Sequence, residues 1–387
     1  MKIATFCDMT GSGTWRLASN QSEFLELQSD WERLFRENPR HSPFLAWGWV
    51  NAWLKYIARP HELQIIYLQD ADGIVRYILP LHRPKGKFGI KSRRTMLVCN
   101  YGLECSDSLG CLCTPDLEDQ SANLTADAIN RFCDRNDVIS LGFLDSIGGF
   151  PHRLEAAMQS AGRLIKIRPD AVCPAFDLPG SWDEYLGQLS YKFRSQVRRT
   201  CRQFGADGQP RLQRMDAVDV GVFASDLIRL NRSRLSDKGE SSSLEDRDLR
   251  AFFEEAIPYM ASHGIAWMDT IVQGREVLGS ALHFVHGETI YYYMGGFDDK
   301  ARKLQPGTAL LAQVMQRGID SGFTRFDFLR GDEAYKYRWN ATAVSTHNVT
   351  IYSEGWLRGH LASMLDDLAI GTRKFLKNLL ELIKRRG

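Results

Sequence analysis

The chain has 387 residues, a length that suggests about two and a half domains of ordinary size. Forty-nine Lys and Arg against 47 Asp and Glu leave a formal charge of +2, which excludes a strongly basic nucleic-acid scaffold and an acidic disordered chain. With 44% hydrophobic and 11% aromatic residues it can fill large cores. No stretch approaches the roughly 18 apolar residues of a membrane span, and the first twenty residues hold no apolar run of signal-peptide length. A soluble, cytoplasmic protein is expected.

Along the chain, Thr14–Ala18 is strand-like, and Ser22 is placed to cap a helix through Arg36 with Phe24, Leu27, Trp31, Leu34 and Phe35 on one face. Pro39 ends it. A second aromatic helix runs from about Leu45 to Ile57. The β-rich runs Leu63–Leu68 and Val75–Leu81 flank Asp70-Ala71-Asp72-Gly73, a hairpin signature. A strand at Val138–Leu144, a helix over Arg153–Ser160 and a strand at Leu164–Ile167 continue the mixed pattern.

After Cys173-Pro174 the same grammar restarts. Ser181 to Glu184 reads as a capped helix start, followed by a basic helix from Tyr191 to Phe204 and two more over Val218–Arg234 and Asp246–His263. The polar loop Ser236–Ser243 separates these last two. Strands are expected at Ile265–Val272, Val277–Val285 and Thr289–Met294, a helix from Pro306, and strands at Thr324–Leu329 and Asn348–Tyr352. This order indicates an α/β (α+β) fold in two halves of similar size. The expected units are residues 1–175 and 176–355, with an amphipathic helical tail over 356–387.

Eight cysteines, four of them clustered at Cys99, Cys105, Cys111 and Cys113, lack the paired spacings that wrap zinc, so small core residues are favoured over a metal site and no metal is expected. His283 and His286, three apart on a strand, tend to face opposite sides. Glu254-Glu255 reads as solvent-exposed. Tyr291-Tyr292-Tyr293 would supply core on one face and line a cleft on the other. The stretch Gln305-Pro306-Gly307-Thr308-Ala309 combines a proline suited to a first helical turn with a glycine that admits close approach of a ligand. The N–H groups of a helix start favour an anion, and a plain loop-to-helix junction is the alternative.

A hairpin, a glycine-bearing turn into a helix, then Phe326-Asp327-Phe328-Leu329-Arg330-Gly331 with Tyr335-Lys336 and Trp339, resembles the GNAT acyltransferase superfamily. More narrowly it resembles the cellulose-biosynthesis acetyltransferase-like (CelD/BcsL) branch, related in fold to Fem-type peptidyltransferases. Ser42-Pro43-Phe44, Leu79-Pro80-Leu81 and the basic run Lys192 to Arg199 add to the likeness, which spreads over about residues 40 to 355. The resemblance implies two tandem GNAT-like domains, each a mixed sheet flanked by helices. It also implies an acyl donor, acetyl-CoA or another acyl-CoA, held in the second domain. Two strands would splay near Thr289–Gly295, and Gln305, Gly307, Thr308 and Ala309 would form the phosphate turn. The usual turn, Arg/Gln-x-x-Gly-x-Gly/Ala, is kept except for Leu304 at its first position, which leaves room for another donor.

Alternation puts Phe326 and Phe328 on one strand face and Asp327 on the other, toward a cleft or solvent. Asp327, Tyr335 and Lys336 are the catalytic candidates. Lys336 would stabilise the oxyanion formed at the carbonyl, as Fem-type enzymes carry a functional lysine near this position, and Tyr335 would relay a proton. The alternative for Asp327 and Lys336 is a structural ion pair. Arg194, Arg198 and Arg202 lie at i, i+4, i+8 and read either as a solvated stripe or as a clamp for a nucleotide- or lipid-linked acceptor. The tail carries Arg373, Lys374, Lys377, Lys384, Arg385 and Arg386 against Glu381 beside a broad apolar face, for packing on the body or for peripheral membrane contact. The expected activity is transfer of an acyl group from acyl-CoA to an amine or hydroxyl of an acceptor, in polysaccharide or cell-envelope biosynthesis, and not on DNA. The alternatives are a Fem-like transferase using aminoacyl-tRNA and a non-catalytic partner of a polysaccharide-synthesis complex.

Overall fold

The computed structural model describes residues 4–6, 13–58, 61–84, 94–100, 105–145, 147–204, 210–215, 226, 229–230 and 246–352. Strands β1 (Ala4–Phe6) and β2 (Gly13–Ala18) lead into α1 (Gln21–Glu26), α2 (Gln28–Glu37) and α3 (Trp47–Tyr56). The hairpin of β3 (His61–Gln69) and β4 (Val75–Pro84) follows, then β5 (Arg94–Leu97), β6 (Leu112–Cys113), α4 (Ser121–Phe132), β7 (Val138–Leu144) and α5 (Phe150–Ser160). The long strand β8 (Ile165–Asp177) precedes α6 (Trp182–Gln188), α7 (Tyr191–Cys201), β9 (Arg211–Met215) and α8 (Arg247–Ser262). The remainder is β10 (Ala266–Gln273), β11 (Glu276–His286), β12 (Thr289–Phe297), α9 (Pro306–Asp320), β13 (Arg325–Asp327), α10 (Ala334–Tyr337) and β14 (Thr342–Ile351).

Local chemistry accounts for several of these boundaries. The Asp70 carboxylate accepts from the N–H groups of Asp72 (3.1 Å) and Ile74 (2.9 Å), which tightens the hairpin turn. Ser181 caps α6 by accepting from the Glu184 N–H at 3.2 Å. The expected cap at Ser22 is corrected. Asn20 is the N-cap, accepting from the Glu23 N–H (3.0 Å), while the Glu23 carboxylate takes the Ser19 N–H (2.7 Å). The single helix expected to Arg36 breaks at Leu27, which ends α1 and precedes α2.

All fourteen described strands belong to one mixed sheet in the order β1-β2-β3-β4-β5-β7-β14-β8-β13-β12-β11-β10-β9, with β6 on β4. Two pairs are parallel, β5 with β7 and β12 with β13. Each encloses a helix in sequence, α4 in the first pair and α9 in the second, so the two halves repeat one connectivity. The sheet runs without a break across the expected boundary at residue 175. That residue lies inside β8, and β14, expected in the second unit, pairs with β7 of the first as well as with β8. The cores are shared too. Trp49 of α3 packs edge-on against Phe252 of α8 at 4.7 Å and Phe284 of β11 at 5.2 Å. Glu254 is exposed, as expected, and the partly exposed Glu255 accepts from Lys55 Nζ (2.5 Å) and the Tyr56 hydroxyl (2.7 Å), joining α8 to α3.

Apart from 226, 229 and 230, the helix expected over 218–234 lies outside the described residues, as do the loop 236–243 and the basic tail from 356. Among the described residues, no helix is long and apolar enough to cross a membrane.

Candidate active site

The sheet opens at one place in its second half. β12 and β13 pair only through Thr289–Arg325, Ile290–Phe326 and Tyr291–Asp327. After Asp327 the chain leaves β12 and follows β8, where the Phe328 N–H donates to the Pro174 carbonyl at 2.9 Å. Residues Tyr292 to Phe297 therefore keep β11 on one side and turn their other backbone edge toward an opening. The Tyr292 hydroxyl lies over Gly295, where an added Cβ would come within 2.3 Å of it.

A cavity of about 250 Å³ occupies that opening. The end of β12 (Gly295, Gly296, Phe297), the start of α9 (Gln305 to Thr308) and the segment Tyr335, Arg338, Trp339 line it, with Phe193 of α7 and Arg302 at its margin. Gln305 enters α9 in the left-handed region at φ 54°, and Pro306 fills the first helical position. The N–H groups of Thr308 and Ala309 both donate to the Gln305 carbonyl (3.0 and 3.2 Å), whereas the Gly307 N–H, in the first turn, has no intrahelical acceptor. The Gln305 amide oxygen accepts from Gln196 Nε2 (2.7 Å) and the Thr200 hydroxyl (3.0 Å). Gln196 Oε1 in turn accepts from Arg338 Nη2 at 2.6 Å, and the Arg338 guanidinium sits 4.2 Å over the Phe193 ring. A polar chain thus ties the turn, α7 and Arg338 together.

On the face opposite Phe326 and Phe328, Asp327 is buried. Its Oδ1 accepts the Leu329 N–H at 2.7 Å. Burial pushes its carboxyl up to about 7. The Leu329 N–H and Arg325 oppose that rise, and Asp145 and Asp107 add to it. Asp107 comes from the first half, where its carboxylate meets Arg330 Nε at 3.0 Å. The Tyr293 hydroxyl on the same face donates to the Cys105 carbonyl at 2.8 Å.

The structure gathers four of the expected site residues at the cavity, namely Gln305, Gly307, Thr308 and Tyr335. Ala309 is a correction: it is fully buried below the turn in the cluster with Ile271 and Leu310. Lys336 is a second. It is 2% exposed and does not line the cavity. Its ammonium donates to the carbonyls of Leu329 (3.1 Å), Arg330 (3.0 Å) and Gly331 (2.9 Å) and lies 2.9 Å from the Glu333 carboxylate. Three donors against four acceptors leave none for an oxyanion, and the ion pair expected with Asp327 is with Glu333 instead.

The arginine stripe also lies off the cavity. Arg194 stacks on Tyr191 at 5.9 Å, Arg198 faces Asp183 at 3.5 Å, and Arg202 Nε donates to the Arg198 carbonyl at 3.2 Å. The inward face of α7 carries Phe193, Gln196 and Thr200. The buried apolar pair Phe193 and Val197 marks that face in the sequence and would have singled out Gln196 and Thr200 as its polar members. Tyr292 reaches the cavity while Tyr291 and Tyr293 pack on the opposite core, as expected.

Of the clustered cysteines, Cys113 lies with His41 and Glu118, their ligand atoms all within 4.8 Å. Those atoms already bond to one another and to the chain. His41 Nε2 accepts the Cys113 N–H (3.1 Å), and the Cys113 thiol donates to Glu118 (3.5 Å). His283 faces the buried Asp269 at 3.7 Å, and His286 stacks on Phe35 at 4.1 Å, so these two histidines do not converge.

Comparison with known proteins agrees with this geometry. Residues 191–337 match the acetyltransferase (GNAT) domain family. Among solved structures the chain is similar to FemX, with a TM-score of 0.61 and 13% identity over 84% of this chain and 96% of that one. A conserved protein of unknown function from Bacteroides thetaiotaomicron is similar at TM-score 0.56 and 10% identity, covering 87% of this chain and 99% of that one. The C-terminal domain assigned to lysylphosphatidylglycerol synthetase of Agrobacterium fabrum gives TM-score 0.53 and 10% identity, covering 88% and 95%. No curated protein sequence matches. At these identities the likeness is one of fold: residues 191–337 match the GNAT acetyltransferase domain family, and the mixed α/β architecture is similar to that of FemX.

Proposed function

We propose that the protein is an acyltransferase that binds acyl-CoA in the cavity between β12 and α9 and passes the acyl group to an amine or hydroxyl presented on the Asp327 face. The observation that carries this reading is the parting of β12 from β13 after Tyr291, with a cavity at the gap and a helix start beside it. The edge of β12 that faces the opening offers N–H and C=O groups to an amide-bearing donor arm, as an added strand would. The Gly307 amide and the Arg338 guanidinium supply donors for its phosphates. Asp327 accepts the proton as the acceptor attacks the carbonyl, and an ionisation near neutrality suits that task. Tyr335, at the cavity wall, protonates the leaving thiolate. The arginines at 194, 198 and 202 would then meet the acceptor only outside the cavity, as a surface for a nucleotide- or lipid-linked acceptor of polysaccharide or envelope synthesis.

One feature favours a second reading, an aminoacyl-tRNA donor: Leu304 stands where the GNAT turn usually has Arg or Gln. Calorimetric titration with acetyl-CoA separates the two. Saturable binding by the native protein that is lost in Gly307→Val supports the first reading. No binding by the native protein, with retention of a charged tRNA, supports the second.

A further inference from the structure

We propose that Lys336 is a positioning residue for Asp327: it gathers the carbonyls of Leu329, Arg330 and Gly331 and so sets the turn that brings the Leu329 N–H onto the Asp327 carboxylate. This inference rests on the reading of Asp327 as the proton acceptor. Three consecutive carbonyls aimed at one buried point repel one another unless a cation stands among them, and the Lys336 ammonium is that cation, at 2.9 to 3.1 Å from each. The turn it stabilises is an uncommon one. Leu329 takes the left-handed region at φ 54° and Gly331 has φ 122°, a conformation that a leucine holds only when its surroundings enforce it.

The far side of the turn is held from the first half of the chain. Asp107 Oδ2 accepts the Arg330 N–H at 3.3 Å, and Arg330 Nη2 donates to the Ser106 carbonyl at 3.3 Å. With both anchors in place, the Leu329 N–H meets Asp327 at 2.7 Å, the shortest polar contact described for that carboxylate. The other groups facing Asp327 are Arg325 on its own strand, Tyr291 on β12, Cys173 on β8, and Asp107 and Asp145 from the first half. Lys336 hydrogen-bonds to none of these side chains; its described bonds run to the turn carbonyls and to Glu333, so the Leu329 amide is the direct reporter of its loss.

The experiment is an NMR titration of the full chain, with aspartate labelled at the side-chain carboxyl carbon and leucine at the backbone nitrogen. Asp327→Asn assigns the Asp327 signal, and Leu329→Ala assigns the Leu329 amide. In the native protein the Asp327 carboxyl and the Leu329 amide should follow one titration, with a midpoint near 7. In Lys336→Met the Leu329 amide should cease to follow it, and the Asp327 midpoint should rise by about one unit, because a bond that favours the charged form is gone. A folded Lys336→Met with both titrations unchanged overturns the proposal, whatever happens to its melting temperature. If Lys336→Met does not fold, Lys336→Gln serves. Its shorter, neutral side chain should weaken the coupling and raise the midpoint, and an unchanged titration again overturns the proposal. A native Asp327 midpoint at an ordinary carboxylate value would instead defeat the proton-acceptor reading, leaving the dependence of the Leu329 amide on Lys336 to be judged separately.

Discussion

Replacing Asp327 by Asn should abolish transfer and at the same time stabilise the fold above neutral pH. The native carboxyl titrates near 7 rather than at its ordinary 3.8, so between those values the folded state binds a proton that the unfolded chain has released. Stability attributable to this group is therefore full below about pH 4 and falls as pH rises toward 7. Roughly three pH units at about 1.36 kcal/mol each give a loss of about 4 kcal/mol by pH 8. The group is 9% exposed, so solvent screening removes little of that. Asparagine has the same shape and can still accept the Leu329 N–H, which isolates the charge. Urea unfolding of both proteins at pH 4, 6 and 8 measures the difference. The advantage of Asp327→Asn over the native protein should grow by about 4 kcal/mol across that range, most of it before pH 7. A difference that stays flat, or that grows toward acid, would refute the claim that Asp327 is held protonated by burial.

Gly307→Val should fold normally, since a Cβ there meets nothing nearer than the Phe297 ring at 4.0 Å, and should lose acetyl-CoA binding in calorimetry because the side chain projects into the donor's approach. Arg338→Gln should weaken binding of 3′,5′-ADP about tenfold and flatten its salt dependence, as expected for loss of one charged contact to phosphate. Trp49→Phe should lower stability by about 2 kcal/mol in thermal unfolding, because it removes the 2.8 Å bond from Nε1 to the buried Ser106 hydroxyl and leaves a gap beside Phe252. Unchanged affinity in either cavity variant would detach that residue from the donor site.

Much of the architecture was legible because the chain obeys local rules. The Asp70–Gly73 turn, Pro306 at the first position of α9 and the short apolar run of β7 each express a short-range preference, and each element stands where that preference puts it. The turn Gln305–Thr308 at the cavity was legible for the same reason, whereas Tyr335 was singled out by the family resemblance. What escaped notice depends on partners far along the chain. Nothing near Lys336 in sequence reveals that its ammonium ends among three carbonyls rather than in a cavity. Nor does β14 announce that it joins the first half of the sheet. Asp327 was correctly set on the face opposite Phe326 and Phe328 by strand alternation. Its burial, and hence its raised ionisation, comes from β8 and from residues 105–107 closing over it. Periodicity gives the direction of a side chain, while long-range contacts decide whether water lies at its end.

The same long-range contacts explain why two halves with one connectivity differ at the gap between their parallel strands. In the first half, β5 and β7 run parallel as β12 and β13 do, with α4 in the place of α9. There the chain fills its own gap. Leu109 bridges to Leu144 and its N–H donates to the Phe143 carbonyl at 2.9 Å. The Asn100 amide presses on Gly142 so closely that a Cβ would lie 2.6 Å from it. Cys99, Cys105 and Cys113 are buried around this plug, which accounts for a cysteine cluster at core positions. The plug then reaches across to the second half, where Cys105 accepts from Tyr293 and Ser106 and Asp107 hold Arg330. One loop thus closes the first gap and builds the wall behind Asp327 at the second. A free first-half gap would need that loop elsewhere, and the turn that carries Leu329 would lose its anchor. The inequality of the halves is therefore a condition of the candidate site, and shortening the 105–110 loop should open the first gap only at the expense of the second.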